Sequence, residues 1–142
     1  MNINLVKCNK EDVDTVFNLT REHIYQYETR KELNLKKVIE RVKVEIYSRP
    51  NTIYRIYDNE NHIGYISVIP SEDETEISDF FIKNEYQNQG YGTSVLSDLV
   101  NRYNHLTLYV FKNNDRAVKL YLKFNFRIIE NNTSTYRMEM KK

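Results

Sequence analysis

At 142 residues the chain has room for one hydrophobic core but not for two ordinary domains. Charged residues at 29% beside hydrophobic ones at 40% exclude a disordered chain, and a formal net charge of +1 argues against the broad basic face of a dedicated nucleic-acid binder. A single cysteine, Cys8, excludes an internal disulfide and a thiolate metal cluster.

The opening stretch Met1–Lys7 is too short and too polar for a signal peptide, and no apolar run reaches the length of a membrane span. The expected setting is therefore cytoplasmic and reducing, without membrane or nucleic-acid partners and without a metal. A local basic patch around a phosphate-bearing ligand stays compatible with the charge balance.

Taken in order, Ile3 to Lys7 predicts a short strand. Asn9 or Asp12 can cap a helix that presents Val13, Val16, Phe17, Thr20 and Ile24 on one face. Leu35, Val38, Ile39, Val42 and Ile46 carry the spacing of a second amphipathic helix, ended by Arg49-Pro50-Asn51. Ile53–Tyr57 and Ile63–Ile69 predict a hairpin across Asp58–Asn61, and Glu76–Ile82 a third strand of the same sheet. Val95, Leu96, Leu99, Val100 and Tyr103 mark another helix, and Leu106–Val110 a bulky central strand. Asn113-Asn114-Asp115 can cap a last helix with Ala117, Val118, Tyr121 and Phe124, before a closing hairpin of Phe126–Glu130 and Thr135–Met140. This order predicts a single mixed α+β domain over residues 1–142, with no repeat or linker.

Between the strand ending at Ile82 and the following helix lies Gln87-Asn88-Gln89-Gly90-Tyr91-Gly92-Thr93. A helix start offers unpaired N–H groups and a partial positive charge to an anion. Two of the three glycines in the chain sit here, where the absence of a Cβ lets backbone approach a diphosphate. A Walker loop needs a Lys that does not follow Gly92, and a dinucleotide fingerprint needs a glycine where Val95 stands. A nucleotide-binding module with a mere glycine-rich turn remains an alternative on these residues alone.

The stretch Phe81–Gly92 resembles the acetyl-CoA motif of the GNAT N-acetyltransferase superfamily, whose core is Arg or Gln, two residues, Gly, one residue, then Gly or Ala. The run Leu108–Phe126, with Asn114, Ala117, Leu120, Tyr121, Lys123 and Phe126 in register, resembles the family's second characteristic motif. The resemblance implies a mostly antiparallel sheet of about seven strands, flanked by about four helices, with a central wedge where two strands splay. Acetyl-CoA would lie in that wedge. Its pantetheine would meet the backbone of Phe80, Phe81 and Ile82, and its diphosphate the amides of Gln87, Asn88, Gln89, Gly90, Tyr91, Gly92 and Thr93. Asn114 would reach the pantetheine arm, Ala117 completes the motif, and Tyr121 would face the thioester sulfur. Asn125 stands where the family usually has Gly; Asn tolerates positive φ, so the turn is expected to survive.

Acetyl transfer needs an amine freed of its proton and a leaving thiolate that is protonated. By position alone Tyr121 reads as a half-buried helix aromatic; the motif match makes it the candidate acid. Glu76 matches the strand glutamate that some members use as base, and strict alternation would put Glu76, Ser78, Phe80 and Ile82 on one face. It reads equally as a solvated carboxylate continuous with Glu72-Asp73-Glu74, with water then relaying the proton. His23, His62 and His105 are isolated and read as structural or surface groups. The acceptor rim would carry Tyr25, Tyr27, Glu28 and Arg30, an aromatic and acidic edge suited to a cationic amine. The expected function is transfer of acetyl from acetyl-CoA to a primary amine of a small molecule or peptide, by a monomer or homodimer. The alternative is a non-catalytic acyl-CoA-binding sensor on the same fold.

Overall fold

Residues 1–142, described by a computed structural model, form seven strands and four helices. In chain order these are β1 (Ile3–Lys7), α1 (Lys10–Tyr27), α2 (Leu35–Ser48), β2 (Ile53–Asp58), β3 (Asn61–Pro70), β4 (Thr75–Ile82), α3 (Tyr91–Arg102), β5 (His105–Phe111), α4 (Asp115–Lys123), β6 (Arg127–Asn131) and β7 (Thr135–Lys141). The strands make one sheet in the order β1-β2-β3-β4-β5-β7-β6. The mixed α+β class and the element order agree with the sequence reading.

Local chemistry sets the helix ends. Asn9 caps α1: its side chain accepts from the Asp12 amide at 3.2 Å, and the Asp12 carboxylate accepts from the Asn9 amide at 2.8 Å. Such a reciprocal box is worth about 1 kcal/mol. Asp12 also accepts from Arg55 Nε at 2.7 Å and from the Tyr65 hydroxyl at 2.8 Å, tying the start of α1 to β2 and β3. Burial alone would raise the Asp12 pKa, but these hydrogen bonds and the Arg55 charge outweigh it and hold the carboxyl below its ordinary value.

Helices α3 and α4 cover one face of the sheet through a core that includes Ile66, Leu96, Leu99, Leu106 and Met138. Helices α1 and α2 cover the other through Val16, Phe17, Ile46 and Ile53. Every strand pair is antiparallel except β4 with β5, whose parallel pairing is confined to Thr75 with Leu106 and Glu76 with Thr107. Past that point the two strands part.

A bulge accompanies the parting. Opposite β3, Tyr65 pairs with Phe81 but Ser67 with Ser78, so β4 carries one extra residue. Asp79 takes it up with φ 48°. Its carboxylate is held by Thr20 of α1 at 3.0 Å, Ser67 of β3 at 3.1 Å and Arg49, just after α2, at 3.0 Å. Three elements thus fix a backbone conformation that an Asp adopts less readily than Gly.

The extra residue corrects the strict alternation expected along β4. Ile77 lies in the α3/α4 core, and after the bulge Phe80 and Ile82 pack against that same core. Phe81 turns to the α1 side, where its ring meets His23 at 5.6 Å. Glu76, next to Ile77 and before the bulge, therefore faces the α1/α2 layer and does not share a face with Phe80 and Ile82.

Candidate active site

Where β4 and β5 separate, a cleft of about 1110 Å³ opens. Its walls are the end of β4, the loop into α3, one side of α4 and the C-terminal half of α1.

The loop is built largely from its own amides. Gln87 Nε2 donates to the Ile82 carbonyl at 2.9 Å and to Asn84 Oδ1 at 3.2 Å, while Gln89 Nε2 donates to the Glu85 carbonyl at 2.9 Å. Asn88 at φ 63° and Gly90 at φ 85° turn the chain into α3. Gly90 is the N-cap and has no side chain to bond the helix start; the first helical bond runs from Ser94 N–H to the Gly90 carbonyl. The N–H groups of Tyr91, Gly92 and Thr93 are left without protein partners, and all three residues line the cleft. The Tyr91 hydroxyl donates to Asp58 at 2.7 Å, anchoring this helix start to the β2–β3 turn.

Asn114 caps α4 by accepting from the Ala117 amide at 3.4 Å, which leaves its amide nitrogen available to the cleft. Arg116, Lys119 and Lys123 also line the cleft, joined by Lys83 from the end of β4. Arg116 donates to Asn88 Oδ1 and so links α4 to the loop. The sequence reading missed these cations. Their i, i+3, i+7 spacing on one helix was the available signal.

Tyr121 is 8% exposed, packs its ring against Phe126 at 5.6 Å and lines the same cleft. Burial pushes its pKa up to about 12, with no hydrogen bond contributing. Its hydroxyl therefore stays protonated across the ordinary pH range. The turn after α4 forms with Asn125 at φ 67°, its amide and that of Phe126 closing on the carbonyls of Leu122 and Tyr121, as the Asn-for-Gly substitution predicts.

Of the sequence-predicted residues, Phe80, Phe81, Ile82, Gln87, Asn88, Gly90, Tyr91, Gly92, Thr93, Asn114, Ala117 and Tyr121 line one cleft. Gln89 does not, being turned to the Glu85 carbonyl. Glu76 does not either; it sits at the closed end of the wedge, where β4 still pairs with β5. Burial raises its pKa, Arg49 and Arg137 oppose the rise, and Asp79 and Glu74 add to it.

Of the expected acceptor rim, Tyr27 at the end of α1 lines the cleft and Tyr25 and Arg30 do not; Glu22, His23 and Gln26 of the same helix join Tyr27 there without having been singled out as site residues by the sequence. The His23 ring meets Tyr27 at 4.7 Å, Phe81 at 5.6 Å and Phe111 at 5.9 Å. Burial lowers its pKa below the ordinary 6.5, against the opposing charge of Asp79. Glu28, expected at an acidic rim, offers no free charge. Its side chain is 4% exposed and accepts from Arg30 at 2.7 Å, and that bond, against burial, holds its pKa down at about 2. Glu22 is the carboxylate that does line the cleft.

Unpaired amides at a helix start, four cations and a strand edge released from its neighbour suit a long anionic ligand with a peptide-like arm. The backbone of Phe80 to Ile82 would pair with amides of that arm, and the α3 start would receive its diphosphate. These features fit coenzyme A.

Among solved structures, the N-acetyltransferase PaiA of Thermoplasma acidophilum in complex with coenzyme A is 21% identical, with a TM-score of 0.69 and both chains covered completely. The spermidine N-acetyltransferase of Vibrio cholerae, in complex with CoA and spermine, is 18% identical at TM-score 0.64, covering 98% of this chain and 95% of that one. YycN of Bacillus subtilis, a putative acetyltransferase by its printed name, is 20% identical at TM-score 0.76 over 94% and 97% of the two chains. No curated protein sequence matches. The model of the acetyltransferase (GNAT) family matches residues 14–126, most of the chain and every part of the cleft described above, and the chain belongs to that family.

Proposed function

We propose that the protein transfers an acetyl group from acetyl-CoA to a primary amine of a small molecule or peptide, by direct attack with both substrates bound. The observation that carries this reading is the meeting, in one cleft, of the unpaired amides of Tyr91, Gly92 and Thr93 with the Tyr121 hydroxyl. The amides suit a diphosphate and the hydroxyl a departing sulfur.

Bound there, acetyl-CoA supplies an activated acetyl thioester. The chain's own residues bind, orient and protonate. The amides of residues 91–93 and the side chains of Lys83, Arg116, Lys119 and Lys123 would hold the phosphates. The free edge of Phe80–Ile82 would align the pantetheine arm, with Asn114 opposite. Tyr121, kept protonated by burial, would give its proton to the departing sulfur. No covalent enzyme intermediate is needed, and Cys8 lies outside the cleft. Glu76, also outside it, would take a proton from the amine only through water.

A spermidine N-acetyltransferase among the similar structures supports a cationic amine as acceptor. Acetyl-CoA is expected to raise the melting temperature, and a panel of polyamines, aminoglycosides, amino acids and peptides with free N-termini should reveal CoA release. A melting temperature unmoved by millimolar acetyl-CoA would sink the proposal. A clear shift without CoA release from any amine would favour an acyl-CoA sensor on the same fold.

A further inference from the structure

The cleft has a second wall that the acid and the cofactor loop leave unused. His23 stands on the α1 side, where its ring bridges the two strands that part: it meets Phe81 of β4 at 5.6 Å and Phe111 of β5 at 5.9 Å. It is the only titratable imidazole lining the cleft, for His62 is bonded to Gly64 and Lys83, and His105 to Glu139. No hydrogen bond engages either His23 ring nitrogen, neither nitrogen is fully buried, and the residue lines the cleft. Tyr121 lines the same cleft from α4, on the other side of the sheet's opening.

We propose that His23 is the catalytic base of the transfer reaction, taking the proton directly from the acceptor ammonium as it enters between α1 and the splayed strands. The inference rests on the acetyltransferase reading above and assigns the residue that completes it. A lone pair on a His23 ring nitrogen takes one N–H proton from the ammonium, and solvent later removes that proton from the imidazolium. The freed amine lone pair forms the N–C bond to the acetyl carbonyl carbon as the C–S bond breaks. Tyr121 gives its proton to the sulfur, and the second proton lost by the nitrogen restores Tyr121 by way of water. The sum is an amide, a thiol and one proton released.

The surroundings suit a base that starts neutral. Three rings pack around His23, and its partial burial disfavours the charged form. Asp79 lies near enough to offset part of that penalty when the proton arrives, although Arg49 shares the carboxylate. The other titratable groups around the same wall are Glu22 and Tyr27 on α1 and Tyr65 on β3. Glu76 lacks this access because it lies where the wedge is still closed.

The test follows CoA release from a mixture of spermine, free amino acids and an N-terminally unblocked peptide, by wild type, His23→Gln and His23→Gly. In parallel, the His23 imidazole is titrated by NMR in the full chain. The inference expects His23→Gln to lose about 100-fold or more in kcat/KM and to lose the acidic limb of the pH profile. Free imidazole should restore part of the rate to His23→Gly, and both variants should keep the acetyl-CoA melting shift. The NMR titration should show a neutral ring at pH 7. Activity of His23→Gln within about threefold of wild type, an unchanged acidic limb, no rescue by imidazole, or a ring protonated at pH 7 would each overturn it. No CoA release by wild type itself sinks the acetyltransfer reading and this inference together, an outcome distinct from loss confined to the variants.

Discussion

Gly64 of β3 and Phe81 of β4 approach so closely that a Cβ on Gly64 would lie 2.1 Å from the Phe81 carbonyl oxygen and 3.1 Å from the Ile82 Cα. Both obstacles are backbone, so neither can swing aside. This contact lies just past the bulge at Asp79, on the part of β4 that has left β5. Gly64→Ala is expected to destabilise the fold by about 1–3 kcal/mol, the range for forced overpacking. It should also displace the β4 edge that is proposed to pair with pantetheine. Thermal melts with and without acetyl-CoA check both effects; an unchanged melting temperature would show that β4 yields freely.

Gly90 and Gly92 act by different means at the same helix start. Gly90 holds φ 85°, so any side chain there is strained, whereas a Cβ on Gly92 would meet the Leu120 side chain at 3.4 Å, near ordinary contact. Gly90→Ala should cost about 1 kcal/mol in stability yet retain part of the acetyl-CoA melting shift. Gly90→Asp and Gly92→Glu add a negative charge where the unpaired amides face an anion, and both should abolish the shift. If Gly92→Glu still binds acetyl-CoA within about threefold of wild type, calorimetry would remove the α3 start from the phosphate site.

The contrast between the loop and the α1 wall shows what a sequence can carry. The Gln87–Thr93 loop is local: its glycines, amides and helix lie in one run, so the residues announce the geometry. The Asn9–Asp12 cap is local too, with only the choice between the two capping residues settled by the fold. The bulge at Asp79 is not. Glu76–Ile82 reads as an unbroken alternating strand, and the extra residue exists only relative to β3, so strict alternation puts Glu76 on the face of Phe80 and Ile82, which it does not share. His23 was read as a structural or surface group for the same reason, since its ring partners Phe81 and Phe111 come from two strands distant in sequence. Glu28 carries a charge in sequence that Arg30 occupies in space.

Glu28 also predicts an acid dependence of stability. Its pKa is held at about 2, against an ordinary 4.5, first by the Arg30 hydrogen bond. A carboxyl depressed in the folded state contributes stability that is complete above its unfolded value and is lost as pH falls through its folded one. Urea midpoints should therefore fall between pH 4.5 and 2, with Asp12, also depressed, contributing on the same side. Glu28→Gln should flatten that fall. Because Arg30 is 36% exposed, added salt should shrink the difference between variant and wild type. Parallel pH dependences for the two proteins would show that the pair does not stabilise the segment after α1.

Tyr121→Phe separates an enzyme from a binding module. The ring is buried against Phe126, so Phe fills the same space and removes only the hydroxyl. Stability should change by less than about 1 kcal/mol, and affinity for acetyl-CoA by less than about threefold, since the phosphates are held elsewhere. Turnover should fall by about 10² to 10⁴ if the hydroxyl protonates the departing sulfur. With a pKa pushed up to about 12, Tyr121 should impose no loss of rate on the alkaline side up to at least about pH 10. A substrate with a more acidic thiol leaving group should narrow the gap between Tyr121→Phe and wild type, because such a group departs without a proton. An unreduced kcat in Tyr121→Phe would remove Tyr121 as the acid, and with it the assignment of that part of the cleft to the sulfur.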